Sequence, residues 1–191
     1  LQLTKFSMNY RDYKELHKRL AAENKTTSNH NKPAYIEYTR LNWQRIKRWE
    51  KQAKLSEEQV EWLKKQTNTI KWVVITEPWC GDAAPSLPIM AKISETHPGL
   101  ELEILLRDEN LELMNKFWTG GAQSIPKLIQ YSGNMITSWG SRPSGAAEFI
   151  TDYKINHGKL DAAGREQLQQ WYNQDKGHQI TSELLVLLGR E

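Results

Sequence analysis

A single cysteine, Cys80, stands among 191 residues, and that scarcity removes two function classes at once. No intrachain disulfide can form, so the chain is not a disulfide-stapled secreted scaffold, and no cysteine-based zinc cluster can be assembled. The five histidines are scattered with no His-x-x-x-His pair, so neither a metal site nor a cofactor is expected. Long apolar runs are also missing: none approaches the roughly 20 residues needed to span a bilayer. Residues 1–20 carry no continuous apolar stretch of the secretory-leader kind, so the expected compartment is the cytoplasm and no membrane partner is expected. The chain opens on Leu1, and Met8 is a candidate native start. The net charge of +3 is only mildly basic. A nucleic-acid binder concentrates such charge on one face, which a total does not show, and no nucleic-acid partner is expected. No internal repeat or low-complexity tract interrupts the chain.

Eight tryptophans are many for this length, and most of them are expected in the core. Residues 8–22 read as a helix, and Asn24 to Pro33 as a polar loop. A longer helix is expected over 35–54, with Tyr38, Leu41, Ile46, Trp49 and Ala53 on its buried side. Arg40, Lys47, Lys51 and Lys54 then form a solvated stripe. Ser56 begins another helix, with Gln59 completing a capping box and Leu55 and Val60 a hydrophobic staple. From residue 70 the pattern changes. Ile70 to Thr76 is a near-continuous β-branched run, suited to a strand buried on both faces. Gly81 to His97 reads as a helix, Leu102 to Leu106 as a second buried strand, and Asp108 to Trp118 as a helix capped by Asp108. Lys127 to Tyr131 and Met135 to Trp139 read as a hairpin around Ser132-Gly133-Asn134, followed by a helix over 144–157 that stops at Gly158. Helices over 161–173 and 181–188 close the chain. The order β-α-β-α-β-β-α puts a parallel crossover unit before an antiparallel hairpin, and so implies a mixed sheet flanked by helices.

Four local motifs fall at the junctions of that order. Trp79-Cys80-Gly81 follows the first strand and opens a helix. Pro88 lies eight residues after the cysteine. Ser124-Ile125-Pro126 precedes the hairpin, and Trp139-Gly140 ends it. In this arrangement, residues 70–157 resemble the thioredoxin family, and the whole chain looks like a bacterial branch of it with helical extensions. The resemblance implies an α/β thioredoxin-like fold with a mixed four-stranded sheet. It divides the chain into an N-terminal helical extension (1–68), a thioredoxin-like core (69–158) and C-terminal helices packing on that core (159–191). It also implies a cis peptide before Pro126 and a loop that receives a substrate chain by short strand pairing.

A cysteine at a helix N-terminus sits among unpaired N–H groups at the positive end of the dipole, and both favour the nucleophilic thiolate. Three departures from the family pattern shape the expected chemistry. Ala83 stands where the resolving cysteine would be, so a dithiol cycle is excluded. Asp82, beside the sulfur, opposes the thiolate, although as a helix N-terminal charge it also stabilises the dipole. Val74 replaces the family's buried carboxylate. Arg142 is the expected offset to Asp82, with Arg107 as a second candidate that can instead pair with Asp108 or Glu109. The expected reaction is monothiol thiol–disulfide exchange. Cys80 is the catalytic residue, and Trp79, Gly81, Asp82, Ile125, Pro126, Gly140 and Arg142 form the substrate site. A disulfide-containing protein or a low-molecular-weight thiol is the partner, and an external thiol resolves the mixed disulfide. Two alternatives stand beside it: a non-catalytic peptide-binding module, in which Cys80 is a small apolar relic, and a peroxide sensor acting through sulfenic acid.

Overall fold

The computed structural model describes residues 7–27 and 32–190, so part of the expected polar loop, residues 28–31, lies outside the described residues. The chain divides into two compact units, Leu1–Ser141 and Arg142–Glu191. In the first unit, α1 (Tyr10–Ala22), α2 (Pro33–Gln52) and α3 (Glu57–Lys64) precede a four-stranded sheet. The Asn9 side chain caps α1 by accepting from the Asp12 amide. Ser56 and Gln59 form the expected capping box at α3. The sheet comprises β1 (Ile70–Thr76), β2 (Leu100–Leu106), β3 (Lys127–Ser132) and β4 (Met135–Gly140), in the order β2-β1-β3-β4. β1 pairs parallel with β2 and antiparallel with β3, and β3 pairs antiparallel with β4. This is the mixed sheet of an α/β thioredoxin-like fold, with further helices before and after it.

Its position between β2 and β3 explains the composition of β1. Of its seven residues only Lys71 is not buried. Val74 sits opposite both Ile104 and Leu128. Within this layer Trp72 Nε1 donates to Gln130 Oε1 at 2.8 Å. α4 (Ala83–Thr96) is buried along nearly its whole first two turns and carries Pro88 inside it. At the outer edge of β2, Met8 and Ile104 exchange two backbone hydrogen bonds of 2.9 and 2.7 Å, which ties the start of α1 to the sheet.

Three expectations need correction. The helix expected over 108–118 is only a 3₁₀ turn, Arg107–Glu109, and a four-residue helix, α5 (Leu111–Met114). Asp108 caps neither: Leu106 and Asn110 hold the N-cap positions, and the Asp108 carboxylate accepts from Arg107 at 2.9 Å. The buried side of α2 is Thr39, Asn42, Ile46 and Trp49, while Leu41 is 42% exposed. The two polar residues take these places with their side chains paired: Thr39 Oγ1 donates to the Tyr35 carbonyl at 2.8 Å and Asn42 to the Pro78 carbonyl at 3.1 Å. Among the eight tryptophans, Trp49, Trp72 and Trp139 are buried, Trp118 is exposed and the other four are intermediate, so fewer lie in the core than expected.

The second unit holds α6 (Ser144–His157), α7 (Ala162–Asp175) and α8 (His178–Leu187). α6 ends at Gly158, whose φ of +77° favours glycine. Asp161 caps α7 by accepting from the Gly164 amide and also accepts from the Tyr153 hydroxyl at 2.8 Å. Glu183 of α8 accepts from both the amide and the hydroxyl of Ser144.

Candidate functional site

At the end of β1 the chain turns through Glu77-Pro78-Trp79, and the Cys80 amide closes the turn on the Glu77 carbonyl at 3.0 Å. Helix α4 begins at Ala83, with Asp82 at its N-cap, so Cys80 lies just before the first turn rather than within it. The Asp82 side chain makes no capping bond to α4. Cys80 is 6% exposed, and its thiol donates to the Ile125 carbonyl at 3.3 Å. The Ile125–Pro126 peptide is cis. Cysteine and proline loop, 45 residues apart in sequence, are therefore in direct contact. Gly140 is opposite Lys127 in the hairpin register, with a φ of +112°. A Cβ there would collide with the Pro126 carbonyl oxygen, so glycine is what lets the hairpin end close on the proline loop. Trp139 is buried beside it, opposite Leu128. Trp79 and Gly81 flank the thiol in sequence and are partly exposed. Arg142, half-buried, is the first residue of the second unit.

Contacts from the N-terminal helices hold this turn in place. The Tyr35 ring stacks on Trp79 with centroids 4.6 Å apart and planes 14° from parallel. The Arg107 guanidinium lies 4.8 Å from the same indole and pairs with Asp108 at 2.8 Å. Asn42 donates to the Pro78 carbonyl at 3.1 Å and accepts from Arg45 at 2.9 Å. Burial lowers the Arg45 guanidinium from its ordinary value, and Asp82 is among the charges that oppose that shift.

Glu77 is fully buried, and that burial pushes its carboxyl up to about 7. Its hydrogen bonds from Thr27 Oγ1 and the Asp108 amide work in the opposite direction, as does the charge of Arg107. Val74, where the family's carboxylate was expected to be lost, is buried in the sheet, and a buried carboxyl reappears three residues later. Next to the proline loop, Lys127 is buried, and burial lowers its ammonium from the ordinary value. It donates to Thr119 Oγ1 at 2.9 Å and approaches the Gly140 carbonyl at 3.5 Å.

The sequence reading missed Thr27, Tyr35, Asn42, Arg45, Glu77 and Lys127. Glu77 carried a usable signal: a carboxylate ending a strand buried on both faces has to be paired or protonated. Tyr35 and Asn42 reach the site across 36 to 44 residues of sequence, which no local pattern records. Among the described residues no group of three or more His, Cys, Asp or Glu could hold a metal, and no helix is long and apolar enough to cross a membrane.

A family model described as thioredoxin matches residues 28–154, reaching back through α2 and α3, which the resemblance over 70–157 had left outside. No curated protein matches the chain. Two solved structures share the fold. One is a protein of unknown function from Pseudomonas aeruginosa, 16% identical, covering 78% of this chain and 85% of its own, with a TM-score of 0.53. The other is an HIV epitope-scaffold, 13% identical, covering 96% of this chain and 100% of its own, with a TM-score of 0.56.

Proposed function

The chain belongs to the thioredoxin family, and from that premise we propose that it performs thiol–disulfide exchange through Cys80 alone. The observation that carries the reading is the contact between the Cys80 thiol and the Ile125 carbonyl beside cis-Pro126. It sets the chain's one thiol against the loop expected to receive a substrate chain. Ionisation of the thiol breaks its bond to Ile125 and releases the proton to solvent. The Cys80 thiolate then attacks one sulfur of a disulfide. A Cys80–substrate S–S bond forms, the original S–S bond breaks, and the departing thiolate takes up a proton. Ala83 has only a methyl group, so a second, external thiolate must attack the mixed disulfide. It forms a new S–S bond with the substrate sulfur and returns Cys80 as a thiolate. Trp79, Gly81, Asp82, Ile125, Pro126 and Gly140 form the rim of this site in the proposal. Its partner is a disulfide-bearing protein or a low-molecular-weight thiol.

The 6% exposure of Cys80 also favours a second reading, a peptide-binding module whose sulfur never reacts. Incubation with oxidised glutathione, followed by mass spectrometry, separates the two. Exchange requires one glutathione on Cys80, removed by excess reduced glutathione and absent in Cys80→Ser. If oxidised glutathione leaves the chain unmodified while dilute peroxide converts Cys80 to a sulfenic acid, the peroxide-sensor reading replaces exchange. If neither reagent modifies it, the binding module stands.

A further inference from the structure

The two edges of the sheet are built differently. At one edge, β2 carries Glu101 and Glu103, both paired with Lys71, and its Ile104 is bridged by Met8. At the other, β4 has no strand or bridge on its outer side among the described residues. Met135, Ile136, Thr137 and Ser138 are all exposed, Met135 at 67% and Ile136 at 51%. Proteins blunt such an edge with a charge, a proline or a bulge, because its free N–H and C=O groups recruit another strand. β4 uses none of these devices: it has no charged residue and no proline, and its register with β3 runs without a break. An edge left in this state is explained by a strand that covers it.

The hairpin fixes which backbone groups are free. Ser132 and Met135 close a two-residue turn as a hydrogen-bonded pair, so Gln130 with Thr137 and Leu128 with Trp139 are hydrogen-bonded pairs too. The alternate residues Ile136, Ser138 and Gly140 therefore aim their N–H and C=O groups away from β3. The Gly140 carbonyl is already taken by Thr119 Oγ1 at 3.2 Å and approached by Lys127 Nζ at 3.5 Å, which closes the end of the edge beside the proline loop. Ile136 and Ser138 remain, placed symmetrically about Thr137. An antiparallel copy of the same strand, centred on Thr137, sets Ile136 opposite Ser138 of the second copy and the reverse. Both outward residues then exchange their bonds with their counterparts. A two-fold interface brings every charge against its own like, and β4 has no charge to repel.

We propose that β4 pairs with β4 of a second copy of this chain, antiparallel about Thr137, to give a two-fold dimer with one continuous sheet. Met135 and Ile136 lose their exposure in it, and Thr137 meets its own copy as a non-hydrogen-bonded pair. The paired stretch, 136–138, is short, so the association is weak, in the micromolar range. Trp139 and Gly140, at the end of β4 beside the proline loop, lie outside that stretch. The dimer therefore stands or falls independently of the chemistry of Cys80.

Sedimentation equilibrium of the whole chain, from low to high micromolar concentration, should show a monomer–dimer equilibrium. Ile136→Lys, which puts a charge against its own copy, and Ser138→Pro, which removes an outward N–H but no bond to β3, should each weaken it at least about tenfold. Circular dichroism of both variants checks that the fold is kept. Cross-linking in a Cys80→Ser background reads the register without touching the edge bonds. Thr137→Cys sets the two sulfurs in a pair with Cα atoms about 4.5 Å apart, within disulfide reach, and should give a covalent dimer under mild oxidant. Met135→Cys, more exposed but four residues out of register and so roughly 14 Å from its copy, should not. A chain that stays monomeric throughout overturns the proposal. So does a dimer that survives both edge variants, or Met135→Cys cross-linking as readily as Thr137→Cys, since each places the contact elsewhere. Assemblies that grow past the dimer overturn it as well, because the proposed pairing leaves no edge for a third copy.

Discussion

Burial pushes the Glu77 carboxyl from 4.5 up to about 7 and holds the His17 imidazole down at about 4 from 6.5. These two shifts act on stability with opposite signs. A raised carboxyl contributes stability that is full below pH 4.5 and is lost as pH rises toward 7. A depressed imidazole contributes stability that is full above pH 6.5 and is lost as pH falls toward 4. Each shift corresponds to about 3 kcal/mol, since one pKa unit is about 1.36 kcal/mol. Over the shared window the two nearly cancel, so the wild-type chain should melt at almost the same temperature from pH 4.5 to 6.5. Glu77→Gln removes one side of the balance. Its stability should fall by about 3 kcal/mol as pH drops from 6.5 to 4, a slope that thermal denaturation at stepped pH will show. A flat profile in that variant would mean that His17 does not resist protonation in the fold.

At the scale of the element, α2 shows where pattern reading succeeds and where it stops. Ile46, Trp49 and Ala53 were legible from their 3.6-residue period, and so was the exposed basic stripe. Thr39 and Asn42 were not, because their burial is decided by partners: Thr39 Oγ1 donates to the Tyr35 carbonyl at 2.8 Å, and Asn42 holds Pro78. Urea denaturation should therefore rank two neighbours against their hydropathy. Leu41→Lys should change stability by less than about 0.5 kcal/mol. Asn42→Ala should cost about 2 kcal/mol, because it strands the buried Pro78 carbonyl and frees Arg45. α4 offers a different test. Ala83 is the first residue of that helix, three after Cys80, and is itself buried. Ala83→Cys should close an intrachain disulfide under mild oxidant and gain weak dithiol reductase activity, read as turnover of insulin disulfides. Absence of the disulfide in its peptide map would mean that the turn holds the two sulfurs apart.

Across the whole molecule, the topology was readable because each junction carries its own chemistry: β-branched runs for β1 and β2, Ser132-Gly133-Asn134 for the hairpin turn, Gly158 for the end of α6. The contact of Cys80 with cis-Pro126 was readable only through the family resemblance, since a cis bond leaves no mark in composition or period. The supports of that contact were not readable at all. They come from the N-terminal segment, from α2 and from the stretches flanking α1: Thr27 on Glu77, Tyr35 on Trp79, Asn42 on Pro78, and Met8 on Ile104. The compact unit accordingly runs from the extension to Ser141 without a break at the first strand. These ties have a consequence for how the chain opens. A segment that merely rested on the sheet would release its amide protons in its own local opening, well before the strands. Here α2, to which α1 is bonded through His17 and the Thr39 carbonyl, cannot leave without unpairing the turn ahead of Cys80. In deuterium, the amides of α1, α2 and β1 should therefore exchange together, at one shared rate.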